Sequence, residues 1–247
     1  MAYPSRWIDL ADLLRLDVTQ LSRIYNTLVD WLYSKHCHRL ESLDQPWLAR
    51  EDVEHYARAV YRRGGRYDNC WAFVDGTARP ICRPGADQRD YYSGHYRLHV
   101  LKWQSIVAPD GLIVNLWGLA EGRRHDCFML AQRNLIARLQ AKNEEWGKLY
   151  CVFGDRGYVI SDVVQRSFEG ADLTEEEKKF NGDMASCRIV VECGIGKIGQ
   201  YFAFGNYQQN SVSAFLTNCH TSVYGFVIAT SISNTDSPDL ERHLDKN

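Results

Sequence analysis

The chain has 247 residues and 45% of them are apolar, which is enough to bury the core of one full domain with a smaller attached segment. The formal net charge is −2, which is less basic than a dedicated nucleic-acid-binding module. The eight cysteines are scattered without a CxxC pair, and no apolar run approaches the roughly 18 residues of a membrane-spanning helix. These features argue against a disulfide framework and a membrane span, and favour reduced thiols inside a cell.

The first 67 residues are predicted to be helical. Leucine and isoleucine recur at spacings of three, four and seven over residues 8–35, with a break at 15–19 that predicts a turn between two helices. Thr19 is the predicted N-cap of the second helix. The pair is compatible with part of a helix-turn-helix, or with a helical hairpin packed on the main domain. A third helix is predicted over residues 50–61.

The pattern changes near residue 68, where we place the start of a second domain that extends to residue 235 and precedes a polar tail over 236–247. The predicted elements are strands over 70–75, 97–107 and 112–119, a helix over 126–142, a strand over 149–153, a helix start at 173–177, and a helix over 181–200. Pro109-Asp110-Gly111 predicts a hairpin turn. This order predicts an α/β fold with a ribonuclease-H-like mixed sheet flanked by helices, preceded by a small all-helical segment.

Three acidic residues lie in three separate short motifs, each with a glycine next to or near the acidic residue. Asp75 in WAFVDGT and Asp155 in YCVFGDRGY end predicted strands, and Glu192 in CRIVVECGIGK lies on a predicted helix. Sites in open sheets gather at the carboxyl ends of strands. Carboxylate oxygens suit Mg²⁺ and Mn²⁺, and two such ions can activate a water and stabilise the leaving oxygen in phosphodiester cleavage. The three carboxylates therefore predict a metal-dependent nuclease.

Each acidic residue also has a structural interpretation. Asp75 and Asp155 both adjoin glycine, and such pairs are common in turns. Glu192 could lie on a solvated helix face. Asp126 follows an arginine pair and could be either a helix N-cap or a fourth metal ligand.

Other catalytic or metal motifs find little support. His36-Cys37-His38 resembles half of a zinc site, but partners at zinc-motif spacing are missing from the sequence. Neither a GxSxG elbow nor a Walker loop occurs, which argues against a serine hydrolase and a nucleotide hydrolase.

Four motifs in a fixed order carry a family resemblance. The stretch that begins CWAFVDGT and ends EGRRHDCFML, then FGDRGY, then FNGDMASCRIVVECGIGK, resembles the nuclease domain of PIF/Harbinger-type transposases and their domesticated relatives, within the DDE superfamily. The likeness covers roughly residues 68–202. It implies a ribonuclease-H-like fold, cut-and-paste chemistry on DNA with Mg²⁺ or Mn²⁺, catalytic roles for Asp75, Asp155 and Glu192, and a fourth acidic ligand at Asp126. It also places Arg188 one helical turn before Glu192, where it can pair with that carboxylate or a phosphate.

The expected partner is DNA, and candidate phosphate contacts are Arg83, Arg123, Arg124, Arg188 and Lys197. The resemblance further implies a Myb-like accessory protein that supplies DNA recognition and nuclear import. We therefore expect the protein in the nucleus, with the cytoplasm as a second location. The sequence leaves open whether the chain forms a homo-oligomer.

Two alternative functions remain open at this point. One is a domesticated or decayed transposase that binds DNA or a partner without catalysis, which is favoured by the short N-terminal region and by Gly194, Gly196 and Gly199 in the last helix. The other is an unrelated metal hydrolase acting on small phosphoesters.

Overall fold

The computed structural model of the protein describes residues 7–45 and 47–201, without the side chains of residue 29, 192–195 and 197–201. Its helices are α1 (Trp7–Leu14), α2 (Val18–Glu41), α3 (Arg50–Arg62), α4 (Gln88–Tyr91), α5 (Asp126–Gln132), α6 (Leu135–Trp146) and α7 (Glu175–Tyr201). Its strands are β1 (Cys70–Pro80), β2 (Tyr92–Ser93), β3 (Leu98–Val107), β4 (Ile113–Glu121), β5 (Cys151–Gly154) and β6 (Val164–Arg166).

The strands form one mixed sheet in the order β4-β3-β1-β5-β6, with β2 paired to the start of β3. Strands β1, β3 and β4 are antiparallel neighbours, whereas β5 runs parallel to β1 and β6 runs parallel to β5. The first five residues of β1 are all buried, which is typical of a strand covered on both faces. The prediction of a ribonuclease-H-like mixed sheet is confirmed.

Helices cover both faces of this sheet. On one face, Tyr56 of α3 and Trp146 of α6 belong to the same buried cluster as Trp71 of β1, and the two tryptophan rings meet edge to face at 5.8 Å. On the other face, a stripe of α7 residues packs against Phe73 and Phe153; it consists of Met184, Cys187 and Val191. The spacing of three and four along α7 brings one side of this helix onto β1 and β5.

The N-terminal helices are joined to the sheet through the end of α2. The side chain of Asn115 on β4 donates to the carbonyl of Leu40 at 2.7 Å, and Arg138 on α6 donates to the carbonyl of Glu41 at 2.6 Å. The hairpin formed by α1 and α2 therefore packs on the main sheet through its second helix. The domain boundary near residue 68 stays a prediction.

The predicted N-cap of α2 was wrong. Asp17 caps this helix, because its carboxylate accepts a hydrogen bond from the backbone N–H of Thr19 at 2.7 Å. The side chain of Gln20 in turn accepts from the backbone N–H of Asp17 at 3.1 Å, which completes a capping box. A carboxylate two residues earlier thus takes the place predicted for the Thr19 hydroxyl.

Four other elements differ from the sequence predictions. Strand β1 continues to Pro80 instead of ending at Asp75, because β3 pairs with it along its whole second half. The helix predicted over 126–142 is divided into α5 and α6 by Asn134, which adopts a left-handed conformation with φ of 50°. The two helices predicted after residue 173 are one helix, α7.

The short elements α4, β2 and β6 were not predicted. None of the helices in the described ranges is long and apolar enough to cross a membrane.

The hairpin between β3 and β4 is held by a partly buried hydrogen bond. Tyr56 donates its hydroxyl to Asp110 Oδ2 at 2.6 Å, and the backbone N–H of Leu112 donates to Asp110 Oδ1 at 2.9 Å. Burial raises the pKa of the Asp110 carboxyl, and the hydrogen bond from Tyr56 opposes that rise. The tyrosine hydroxyl thus stabilises the charged form of this carboxylate against the effect of burial.

Replacing Tyr56 by phenylalanine is expected to lower the free energy of unfolding by about 1–3 kcal/mol, because Asp110 loses one of its two donors. Since the lost bond raises the pKa of Asp110 further, the deficit should be larger at pH 7.5, where the carboxylate is charged, than near pH 4.5. Urea unfolding at both pH values measures it. Tyr61→Phe, an exposed tyrosine on the same helix, is the control, and equal stability of the two variants would contradict the prediction.

Candidate active site

The two strand aspartates lie in matching positions on neighbouring parallel strands. Phe73 of β1 pairs in register with Phe153 of β5, and two residues later each chain segment reaches its aspartate, Asp75 and Asp155. Strand β5 ends at Gly154, so Asp155 leaves the sheet, whereas Asp75 lies inside β1 opposite Ser105 of β3. The prediction that Asp75 ends its strand was therefore wrong, but the two carboxylates do share one region of the sheet.

Asp126 adjoins both aspartate segments. It is the first residue of α5, and its carboxylate packs so closely on Gly76 that a Cβ atom built there would lie 2.7 Å from Oδ1. A Cβ atom on Gly157 would lie 3.6 Å from Oδ2 of the same carboxylate. The N-cap of α5 is His125, so the N-cap interpretation of Asp126 was wrong.

Arg188 of α7 connects the two strand aspartates. Its Nη2 lies 2.5 Å from Asp75 Oδ1, and its Nη1 lies 3.9 Å from Asp155 Oδ1. The side chains of Arg188 and Asp75 are only 21% and 19% exposed, whereas that of Asp155 is 54% exposed. The predicted pairing of Arg188 with Glu192 concerns a side chain outside the described part of the chain, although the backbone of Glu192 lies on α7 one turn further on.

Sequence reasoning missed three side chains at this site. Lys102 of β3 reaches Asp126, with Nζ at 3.6 Å from Oδ1, and also donates to the carbonyl of Arg124 at 2.7 Å. Tyr158 is buried and accepts a hydrogen bond from the amide of Gln104 at 3.3 Å. Tyr96 is the third, and it is 46% exposed. A signal for Lys102 existed, because a lysine between the apolar residues Leu101 and Trp103 of a predicted strand needs a partner.

The pKa directions show that these groups share one electrostatic environment. Burial raises the pKa of the Asp75 carboxyl; Arg188 lowers it and the charge of Asp126 adds to the rise. Burial also raises the pKa of the Tyr158 hydroxyl, and the charge of Asp126 raises it further. The pKa of Tyr96 is raised by burial and then by the three aspartates. The site is thus a partly desolvated concentration of negative charge.

The predicted phosphate contacts are placed as follows. Arg123 Nη1 lies 3.1 Å from Asp90 Oδ1, and Arg124 Nε lies 2.9 Å from Glu121 Oε2. Exposed Arg83 donates to the side chain of Gln88 at 2.9 Å. Lys197 lies on α7, and its side chain is outside the described residues. Arg123 and Arg124 lie three and two residues before Asp126, so these two cations border the carboxylates.

The residues fit a divalent cation. Among the described side chains, no three of the types His, Cys, Asp and Glu lie close enough to hold an ion by themselves, and the side chain of Glu192 is outside that set. However, Asp75 and Asp155 already share one positive charge, the guanidinium of Arg188. Carboxylate oxygens are the ligands that Mg²⁺ and Mn²⁺ prefer. Asp75, Asp126 and Asp155 are therefore the described residues that would contribute ligands to such an ion, together with a further group.

Replacing Gly76 by alanine tests the position of Asp126. The new methyl group would overlap the Asp126 carboxylate and displace it, so we expect Mn²⁺ affinity to fall about tenfold or more. Stability should not fall, because alanine suits a strand better than glycine. Isothermal titration with Mn²⁺ measures the affinity.

Gly157→Ala is the matched control, because its methyl group would touch the same carboxylate at an ordinary contact distance. Unchanged Mn²⁺ affinity in Gly76→Ala would exclude Asp126 as a metal ligand.

Comparisons with known proteins identify the family of the chain. Residues 74–228, more than half of the chain, match the family described as DDE superfamily endonuclease. The chain is also 26% identical over 165 residues to the probable transposase for insertion sequence element IS702 of Microchaete diplosiphon. That alignment covers 63% of this chain and 56% of the relative, so the chain spans little more than half of the relative's length. No solved structure matches. Because this family match covers more than half of the chain, the chain belongs to the DDE superfamily of endonucleases.

Proposed function

We propose that the protein is a divalent-metal-dependent DNA endonuclease of the transposase type. One observation carries the proposal. In a chain of this superfamily, parallel strands bring Asp75 and Asp155 to matching positions on either side of the Arg188 guanidinium, and Asp126 packs beside them. The relative described as a probable transposase supports the same class. The PIF/Harbinger subtype is part of the proposal and is supported by the order of the motifs.

Asp75, Asp126 and Asp155 would hold the metal ion beside the reacting phosphate. Bound Mg²⁺ or Mn²⁺ supplies the positive charge that activates the attacking water and stabilises the departing 3′ oxygen. Asp75, held inside β1 and one-fifth exposed, is the fixed ligand, and exposed Asp155 is the ligand that faces the substrate. Glu192 is proposed as the third carboxylate, because it follows Arg188 by one turn of α7.

Basic residues around the carboxylates are proposed to bind the DNA backbone. Arg123 and Arg124 are paired to acidic residues that are each about 37% exposed, so water and phosphate can compete for them. Binding through Arg83, Arg123, Arg124, Arg188 and Lys197 should weaken as salt concentration rises, because each phosphate contact releases counterions. A Myb-like accessory protein, a homo-oligomeric assembly and a location in the nucleus, with the cytoplasm second, are also proposed, and they rest on the family resemblance.

The decisive experiment is nicking of supercoiled plasmid by the purified protein in Mn²⁺, in Mg²⁺ and in EDTA. We expect relaxed circles with either metal and intact plasmid in EDTA. Asp155→Asn protein, purified in the same way, separates this activity from a contaminating nuclease. A folded wild type that leaves the plasmid intact with both metals would favour the non-catalytic, domesticated function instead.

A further inference from the structure

An exposed hairpin tip lies next to the carboxylates. Strand β2 pairs Tyr92 with His99 and Ser93 with Leu98, so residues 94–97, Gly-His-Tyr-Arg, form a four-residue loop that we call the hairpin tip. Every residue from 94 to 98 is exposed, and Arg97 closes the loop in a left-handed conformation with φ of 55°. An aromatic ring and a guanidinium are thus presented together on a short protruding turn.

Contacts at the base of the hairpin fix this tip relative to the site. The backbone N–H of Arg123 donates to the carbonyl of Asp90 at 3.1 Å, and the two side chains are ion-paired at 3.1 Å. A Cβ atom on Gly122 would lie 2.2 Å from the carbonyl oxygen of Tyr91, which shows how closely the two segments pack. The loop that leads to Asp126 is therefore in contact with the hairpin that carries Tyr96. The effect of all three aspartate charges on Tyr96 agrees with this placement.

The tip contributes little to the fold. Tyr96 contacts the ring of His95 edge to face at 4.8 Å, and its hydroxyl makes no hydrogen bond with any residue that the structure describes. Gly94 has open space on the side where a Cβ would lie. A half-exposed aromatic ring without a packing role, next to a cation, is suited to stacking on a nucleobase while the cation contacts a phosphate.

We propose that the hairpin tip binds the nucleotide next to the scissile phosphate, with Tyr96 stacked on its base and Arg97 on its backbone. This inference rests on the proposed endonuclease function and names the form of DNA that the site takes. The faces of bases inside an intact duplex are covered by their neighbours, so Tyr96 stacks best on a base that is unpaired. The preferred substrate is therefore DNA that is single-stranded, frayed or nicked beside the cleaved bond.

The test compares two fluorescein-labelled probes in Ca²⁺: a blunt duplex, and the same duplex with a short 3′ single-stranded overhang that contains 2-aminopurine. Wild type is expected to bind the overhang probe more tightly and to quench the 2-aminopurine. Tyr96→Ala should lose this preference by about fivefold or more, and Tyr96→Phe, which retains the ring, should keep it. Tyr92→Ala, another exposed tyrosine of the hairpin, is the matched control.

The outcomes separate the two proposals. If wild type binds DNA and Tyr96→Ala binds each probe as tightly as wild type does, the stacking role is overturned and the endonuclease proposal stands. Wild type that binds neither probe would overturn both. Loss of the preference in Tyr92→Ala as well as in Tyr96→Ala would overturn the assignment to Tyr96, because it would show that the hairpin simply needs intact packing.

Discussion

Asp155→Asn is expected to lower the rate of Mn²⁺-dependent plasmid nicking by about a hundredfold or more while the protein remains folded. The substitution removes a negative charge that a divalent cation needs, and changes the shape of the side chain very little. The backbone N–H of Arg156 donates to Asp155 Oδ1 at 2.7 Å, and asparagine retains an oxygen that can accept this bond. Because the Asp155 side chain is 54% exposed, its loss of charge should cost little stability.

The assay follows conversion of supercoiled plasmid to relaxed circles over time, beside circular dichroism melting of each variant. Asp172→Asn, an exposed aspartate in the segment between β6 and α7, is the matched control and should nick like wild type. Full nicking by Asp155→Asn would remove Asp155 from the proposed catalytic set. Equal loss in both variants would point to a general effect of charge and would also contradict the prediction.

The fold was predictable because its apolar patterns are local. The run at the start of β1 and the Pro109-Asp110-Gly111 turn between β3 and β4 each identify a strand or hairpin from a few neighbouring residues. The end of β1 was not predictable in this way, because its second half is half-buried and is held by pairing with β3 rather than by apolar residues of its own. Strand β2, two residues long, is too short for any periodicity to show.

The residues of the candidate site could be predicted where they lie in short sequence motifs. Contacts between segments far apart in the sequence could not. Asp75 and Asp155 each follow an apolar run, and the structure shows that their strands are parallel neighbours. The contact between Arg188 and Asp75 joins residues 113 positions apart, whereas the family resemblance pointed to Glu192 or a phosphate as the partner of Arg188. The break at Asn134 depends on a left-handed backbone conformation that helix propensity does not reveal.

Arg188 has a consequence for metal binding that can be measured without DNA. Its guanidinium is paired with Asp75 Oδ1 at 2.5 Å and also approaches Asp155, and these are two of the carboxylates that would hold a divalent cation. An arriving ion must therefore displace this arginine or share its carboxylates. Since both side chains of the pair are about four-fifths covered, the displaced contact costs more than an exposed ion pair would.

We therefore expect Arg188→Gln to bind Mn²⁺ about tenfold more tightly than wild type, because the competing cation is gone. Without metal the variant should melt several degrees lower, since Asp75 is left as a largely buried charge without its counter-ion. Added Mn²⁺ should then raise its melting temperature by more than it raises that of wild type. Isothermal titration and thermal melts at a series of Mn²⁺ concentrations measure both effects.

Arg66→Gln is the matched control, because it removes another arginine–aspartate ion pair that involves α7. Arg66 pairs with Asp183 of α7 at 2.6 Å, on a more exposed part of the helix. It should change neither Mn²⁺ affinity nor the metal-dependent shift in melting temperature. Mn²⁺ affinity of Arg188→Gln equal to or weaker than that of wild type would show that the arginine supports the ion instead of competing with it. In that case Asp75 would bind the metal through an oxygen that Arg188 leaves free, and the ion and the guanidinium would occupy the site together.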